Sequence, residues 1–281
     1  MKIKRLFSTL LMMATLFGSA KLAMAADEPA SSIQDLLVTP TRVVFEGNMQ
    51  TTELALVNRS NTAHTYALSF VQYRMNAAGE IKEIDATDTP DPQDRFADSL
   101  IRFSPRRVIL EPRQVQMVRM MLRKPADLAE GEYRSHLSFR LIPTAESAVK
   151  PDSVSRGIQI KLIPIYGVTI PVIVRYGSLT ATTRLSALRF DAKGLHFTIE
   201  REGSRSTYGD LVVQFKGTGK AVTVGAMNGV AVYTPNPKRT VSMTLSPPKG
   251  VEIRTGELIV RYIAKENETE QLIAEGRIAV P

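Results

Sequence analysis

The sequence predicts an all-β protein made of two β-sandwich domains. Short runs of β-branched and aromatic residues alternate with turn residues along most of the chain, and no segment has convincing helical spacing. A length of 281 residues fits two domains of about 150 and about 100 residues. A hinge-like segment at 175–178 separates them, so we place the first domain at 26–176 and the second at 177–281.

Eight short strands are expected before residue 143, separated by turn clusters and by prolines such as Pro105, Pro112 and Pro125. A polar connection over 144–157 follows, and then an apolar stretch over 158–174. Because Pro164 and Pro171 interrupt that stretch, we interpret it as one or two strands rather than a helix. The eight strands are expected over 36–38, 42–45, 52–57, 65–73, 100–103, 107–110, 116–122 and 135–141.

About eight more strands are expected after the hinge. Turn residues punctuate them, among them the Asn228-Gly229 pair, which predicts a break between two strands. Strands at this spacing are typical of sandwiches. The ranges are 180–190, 195–201, 210–215, 221–228, 230–234, 239–245, 256–264 and 271–280.

Residues 1–25 have the pattern of a cleavable export signal. Lys2, Lys4 and Arg5 precede an apolar run over 6–17, and Ala23-Met24-Ala25 supplies small residues around a cleavage point. The run is shorter than the roughly 20 residues that span a bilayer, which disfavours a membrane anchor. We therefore expect an exported, bacterial protein that does not span the membrane and whose mature chain starts near Ala26.

Composition excludes several kinds of protein. The chain has no cysteine, which excludes disulfides and a thiolate metal site, and its three histidines lie far apart in the sequence. No phosphate-binding loop, zinc motif or nucleophile elbow is present. The net charge of +8 falls to +4 without residues 1–25, which argues against a nucleic-acid binder. We expect no enzyme activity, no cofactor and no metal.

Several segments, taken in order, resemble the periplasmic pilus chaperones of the PapD-like family, of which this chain would be a divergent member. Each resembles a strand or turn of that family's first domain, and together they cover most of 36–176. They are Thr41-Arg-Val-Val-Phe-Glu-Gly47, Leu54-Ala-Leu-Val-Asn58, Phe103-Ser-Pro-Arg-Arg-Val-Ile-Leu-Glu-Pro112, Gln116-Met-Val-Arg119, Gly131-Glu-Tyr-Arg-Ser-His-Leu-Ser-Phe139 with Ile142-Pro143, and Val172-Ile-Val-Arg175.

The resemblance implies two immunoglobulin-like sandwiches set at an angle, with a cleft between them. It implies a periplasmic chaperone that binds fimbrial subunits by donor-strand complementation and delivers them to an outer-membrane usher. In that process the chaperone adds one of its own strands to the open sheet edge of a subunit. The donor strand is also a route to self-association.

The resemblance assigns the family's cleft arginine to Arg42, which would hold the carboxylate at the subunit's C-terminus. The family pairs that arginine with a lysine near the end of the donated strand. Counting back from Arg175, the position holds Pro171 instead, and the nearest lysine is Lys161. The second cation of the anchor is therefore not identified in the sequence.

The donated residues would be Ile158, Ile160 and Leu162, which alternate with Gln159 and Lys161 and so give one apolar face and one polar face. The alternative is an ordinary core strand. Arg175 is interpreted as a structural residue between the domains rather than a ligand contact.

Two other functions remain open. An exported adhesin or fibre subunit would share the sandwich fold, but residues 26–34 lack the alternating apolar side chains of a donor extension. A hydrolase on a sandwich scaffold would need carboxylates or histidines that converge in space.

Overall fold

The computed structural model describes residues 35–85, 87–89, 91–143, 167–266 and 269–281, with the backbone alone at 265, 266 and 269. Nearly every element is a β-strand. The exception among the described elements is a short 3₁₀ helix, Asp98–Leu100. Among the described residues, no helix has the length and apolar character needed to span a membrane.

The first half of the chain forms two facing sheets. One has the order β1-β3-β9-β7, the other β2-β11-β10-β4-β8, and β5 pairs with β6 in a separate hairpin. All these pairs are antiparallel except β11 with β2. The strands are β1 Leu36–Thr39, β2 Val43–Phe45, β3 Thr51–Asn58, β4 His64–Val71, β5 Tyr73–Met75, β6 Ile81–Glu83, β7 Ile101–Ser104, β8 Arg107–Leu110, β9 Val115–Leu122, β10 Gly131–Ile142 and β11 Gly167–Tyr176.

Buried and exposed side chains alternate along these strands, and the buried ones form the hydrophobic core of the first sandwich, called the first core below. In β3 every second side chain from Leu54 onward is buried, and β1 and β7 follow the same period. Buried side chains from both sheets, including Leu56, Phe45 and Phe139, form one cluster. Asn58 ends β3 and is fully buried, where its Nδ2 donates to the carbonyl oxygens of Thr62 and Leu110.

The second half forms another sandwich with its own core. Its sheets have the orders β12-β13-β16 and β15-β14-β17-β18. Buried side chains from both sheets, such as Phe197, Leu211 and Tyr262, form one cluster. The strands are β12 Ala181–Asp191, β13 Gly194–Gly203, β14 Thr207–Lys216, β15 Val222–Val232, β16 Lys238–Met243, β17 Gly256–Glu266 and β18 Thr269–Val280.

The predicted fold class is confirmed, because each half is a sandwich of two mainly antiparallel sheets, the immunoglobulin-like architecture. Three details differ from the sequence prediction. β10 begins at Gly131, four residues before the predicted strand. The hairpin of β5 and β6 was not predicted. The predicted break at Asn228-Gly229 is wrong, since β15 continues through this pair with a bulge opposite Gly209–Leu211.

Candidate functional site

The candidate site lies on the face of the β2-β11-β10 sheet that points away from the first core. Strand periodicity places Val43, Phe45 and Val172 in that core, so their sequence neighbours occupy the opposite face. Register then aligns those neighbours in rows across the three strands. Ile173 pairs with Val44 on one side and Arg134 on the other.

This face packs against the second sandwich. Ile173 is fully buried in a small apolar cluster with Met75, Ala231 and Tyr233, and Val44 packs against its edge. Ala231 lies in β15 and Tyr233 directly follows it. The second sandwich therefore supplies one wall of the site, and the sheet of the first sandwich supplies the other.

Arg42, the predicted carboxylate anchor, lies just before β2 and is partly buried at this interface. Its Cζ is 4.4 Å from the ring centroid of Tyr208 and 5.7 Å from that of Tyr233. Its Nη1 donates a hydrogen bond to the Tyr233 hydroxyl at 3.4 Å. These contacts hold the guanidinium between two aromatic side chains of the second sandwich, where Arg is favoured over Lys because it stacks on rings.

Arg134 is a second guanidinium in the same place, and sequence reasoning did not single it out. It projects from β10, and its Cζ lies 4.1 Å from the Tyr233 ring centroid. Nη2 donates to the Tyr73 carbonyl oxygen at 3.2 Å, whereas Nε and Nη1 are buried with no hydrogen-bond partner among the described residues. Burial, the largest effect, and the nearby Arg42 both lower the pKa of Arg134, although it remains a cation.

His136 completes the polar set on β10. It is 4% exposed and contacts the rings of Tyr73 and Tyr233 edge-on, with centroids 4.9 and 6.3 Å away. Burial, together with the positive charges of Arg134 and Arg42, lowers the pKa of His136 to about 3. The imidazole is therefore neutral at pH 7 and adds no third positive charge to the cluster.

Arg175, interpreted from the sequence as an interdomain residue, lies in the next row and contacts both sandwiches. Its Nε donates to Glu132 Oε2 at 3.1 Å and its Nη1 to Glu46 at 3.0 Å, while Nη2 reaches the Ser206 carbonyl oxygen at 3.3 Å. Burial alone would lower the pKa of Arg175, but Glu132 and Glu46 outweigh it and raise the pKa. The guanidinium of Arg175 is therefore already hydrogen-bonded to groups of the protein itself.

Glu132 is the centre of this network. It is 4% exposed and accepts hydrogen bonds from the backbone N–H and the hydroxyl of Ser206, both at 3.0 Å, and from Thr234 at 3.2 Å. Ser206 and Thr234 belong to the second sandwich. One buried carboxylate thus joins the two halves through several charge-assisted hydrogen bonds.

A cavity of about 460 Å³ opens beside Glu132, between the two sandwiches. It lies where the chain passes from β11 into β12. Its walls come from both halves and include Arg95, Glu130, Ser178, Arg201 and Thr234.

The predicted donor residues Ile158, Ile160, Lys161 and Leu162 lie outside the described residues. Pro171, the position at which the resemblance implied a lysine, is in β11 and pairs with His136. Val43 of β2 pairs with Val172 of β11, and the two strands are parallel. The residues just before them, Arg42 and Pro171, are therefore neighbours across the sheet.

Sequence reasoning missed Arg134, Tyr208 and Tyr233. A signal for Arg134 was present, because Glu132, Arg134 and His136 alternate with period two and give β10 a polar row on one face. The tyrosines gave no such signal, since only the packing of one sandwich on the other brings them to the arginines.

No protein-family model and no curated protein matches the chain. Among solved structures it is similar to the CupB2 chaperone of Pseudomonas aeruginosa, with 13% identity and a TM-score of 0.45 over 87% of this chain and 100% of that one. It is similar to a chain of the CsuC–CsuE chaperone–tip subunit pre-assembly complex of Acinetobacter baumannii, with 11% identity and a TM-score of 0.45 over 85% and 97%. It is also similar to the periplasmic chaperone SfaE, with 14% identity and a TM-score of 0.41 over 87% and 100%.

Proposed function

We propose that this protein is a non-enzymatic periplasmic chaperone, exported by residues 1–25, that binds fimbrial subunits by donor-strand complementation and delivers them to an outer-membrane usher. The observation that carries the proposal is the edge of β11. On one side β11 pairs with β10 from Gly167 to Tyr176. On the other side, among the described residues, only Val172–Val174 pair, with β2.

This edge suits the addition of a further strand. In an antiparallel pair, every second N–H and C=O of a strand points away from its partner, so 167–170 offer hydrogen-bonding groups to an added strand. Ile170 is buried and Val168 packs against the first core, which keeps this part of the strand extended and anchored. A subunit with an unpaired sheet edge would gain those hydrogen bonds.

The donated side chains in this proposal are Ile158, Ile160 and Leu162, with Lys161 on the polar face. They lie just upstream of β11 in the sequence, so a donor segment would extend the same strand. The same edge gives self-association of the chaperone a route when no subunit is bound.

Arg42 is the proposed anchor for the carboxylate at the C-terminus of the subunit. It lies next to Pro171 at the end of the short β2 pairing, which is where the free part of the β11 edge begins. Among the described residues it pairs with no carboxylate, and Tyr208 and Tyr233 hold its guanidinium in place. A fixed guanidinium can therefore offer charge-assisted hydrogen bonds to an incoming carboxylate.

Co-expression with a candidate fimbrial subunit, followed by affinity purification from the periplasm, tests the proposal. We expect the subunit to co-purify one-to-one with the wild type and to fall by about tenfold with Arg42→Ala, the loss expected for a hydrogen-bonded charge. Arg107→Ala is the matched control, because Arg107 is an exposed arginine on β8, at the far edge of the same sheet. Incorporation of this chain itself into surface fibres would instead identify it as a fibre subunit.

A further inference from the structure

Arg134 carries two hydrogen-bond donors for which the described part of the protein provides no acceptor. Nε and Nη1 are buried, and Nη2 alone donates, to the Tyr73 carbonyl oxygen. A buried cation without an anionic partner is costly, since charges inside proteins are normally paired and hydrogen-bonded. The arrangement is therefore suited to accept an anion.

The nearby carboxylates are engaged elsewhere. Glu132 accepts hydrogen bonds from Arg175, Ser206 and Thr234. Asp94 is bound by Nε of Arg74 at 2.9 Å. Neither carboxylate accepts a hydrogen bond from Arg134 in the structure, although both favour its charge from a distance. Nε and Nη1 are therefore left for an acceptor that a bound ligand would supply.

Arg134 and Arg42 converge although they lie on different strands. Both arginines flank β11, which lies between β2 and β10. Arg134 pairs with Ile173 of β11, and Arg42 lies beside Pro171, two residues earlier on the same strand. Both guanidiniums contact the same Tyr233 ring, at 4.1 and 5.7 Å from its centroid. The two cations thus meet at one aromatic side chain supplied by the second sandwich.

We propose that Arg134 is the second cation of the carboxylate site and, together with Arg42, replaces the lysine that position 171 lacks. The ligand is a carboxylate at a chain end. This inference rests on the proposed function, in which that group is the C-terminus of the bound subunit. Pro171 has no charge to offer and His136 is neutral, whereas Arg134 contacts the same Tyr233 ring as Arg42.

Tyr233 links binding to the second sandwich. Its ring centroid lies 4.1 Å from Arg134 Cζ, and its hydroxyl accepts a hydrogen bond from Arg42. A carboxylate bound by both guanidiniums would lie beside this ring, and we expect the Tyr233 ring resonances to move together with those of the two arginines.

NMR of the mature protein labelled with ¹³C,¹⁵N-arginine tests the site without a subunit. Sodium acetate is titrated against sodium chloride at constant ionic strength, and the Arg134 Nε–Hε signal is assigned by its loss in Arg134→Gln or, if that variant does not fold, in Arg134→Lys. We expect a saturable shift with acetate alone, weakened about tenfold by Arg42→Gln. Arg140→Gln is the control, because Arg140 is an exposed arginine on the same strand.

A shift of Arg134 that is absent, unsaturable or unaffected by Arg42→Gln would overturn the two-cation site. Failure of the two-cation site can be distinguished from failure of the chaperone proposal. Saturable acetate binding without subunit capture would leave the site standing and remove the proposed function. Subunit capture that Arg134→Gln leaves unchanged, with no response to acetate, would keep the function and remove the site.

Discussion

Glu132 shows how one residue can connect the two sandwiches. It is buried and accepts hydrogen bonds from Arg175 on the first sandwich and from Ser206 on the second. Arg175 is itself only 9% exposed at its side chain. Neutralising Glu132 would leave this buried cation with a poorer partner, and such a change is strongly destabilising.

We therefore expect Glu132→Gln to lower the free energy of unfolding by about 3–5 kcal/mol in urea denaturation. Glu257→Gln is the control, since Glu257 pairs with Arg277 at 3.2 Å on the surface and such pairs contribute about 0–1 kcal/mol. Equal small losses in the two variants would contradict the role assigned to Glu132.

The burial of His136 predicts that the stability of the fold depends on pH. Its pKa is about 3 in the folded protein, below the usual 6.5, because it is buried beside Arg134 and Arg42. The folded state therefore favours the neutral ring, and the stability this gives is complete above pH 6.5 and is lost as the pH falls towards 3.

Between pH 7 and pH 5, the wild type should lose about 2 kcal/mol more stability than His136→Asn, which cannot titrate. Urea unfolding at the two pH values measures the difference. His196→Asn serves as the control, because His196 is more exposed and bonds to Ser242 at 2.9 Å. Parallel losses in the wild type and His136→Asn would show that the His136 ring is not kept neutral by the fold.

At the scale of elements, β15 depends on a glycine in its interior. Gly229 has φ +68°, its N–H donates to Asp210 at 2.8 Å, and a Cβ added there would lie 3.1 Å from the Tyr208 hydroxyl. Tyr208 is the ring against which Arg42 stacks. The bulge at Gly229 thus lies directly behind the candidate site.

Gly229→Ala should lower the free energy of unfolding, measured by thermal denaturation, by about 1–2 kcal/mol. This is the usual cost of the left-handed conformation for a residue with a Cβ. Gly219→Ala, where a Cβ would meet nothing within 4 Å, should change stability by less than about 0.5 kcal/mol. If the two substitutions cost the same, the bulge does not require glycine.

The same elements show what sequence reasoning can and cannot predict. The alternation of apolar and polar residues in β3, with the turn residues around it, correctly predicted the strand and its buried face. The Asn228-Gly229 pair predicted a turn because the local signal for a hairpin and for a bulge is the same, and only the partner strand β14 distinguishes them. The resemblance to a known family singles out Arg42, whose anchoring role stays a prediction, but the meeting of Arg42 with Arg134 depends on a register across three strands.

At the scale of the whole molecule, two separate cores meet at a small cluster. Ile173 is its central side chain and is fully buried against Ala231 and Tyr233. We expect the sandwiches of the wild type to unfold together, with coupling through this cluster and Glu132. Ile173→Ala should cost about 2–5 kcal/mol and split the calorimetric transition into two.

Val174→Ala is the comparison for Ile173→Ala, because Val174 is equally buried but lies in the first core. It should lower the temperature of unfolding without separating the transitions. A single transition in Ile173→Ala, with the midpoint of the Val174 variant, would mean that the cluster does not couple the two halves.

In the proposed function, the edge of β11 accepts a strand from a subunit. Hydrogen exchange of the mature protein, alone and in a purified complex with a subunit, tests whether it does. In the free protein, amides within 167–170 that face away from β10 should exchange faster than those at 172–174, which pair with β2. In the complex they should become protected, while the amides of central strand β10 remain unchanged. Equal protection of 167–170 with and without the subunit would contradict donor-strand complementation at this edge.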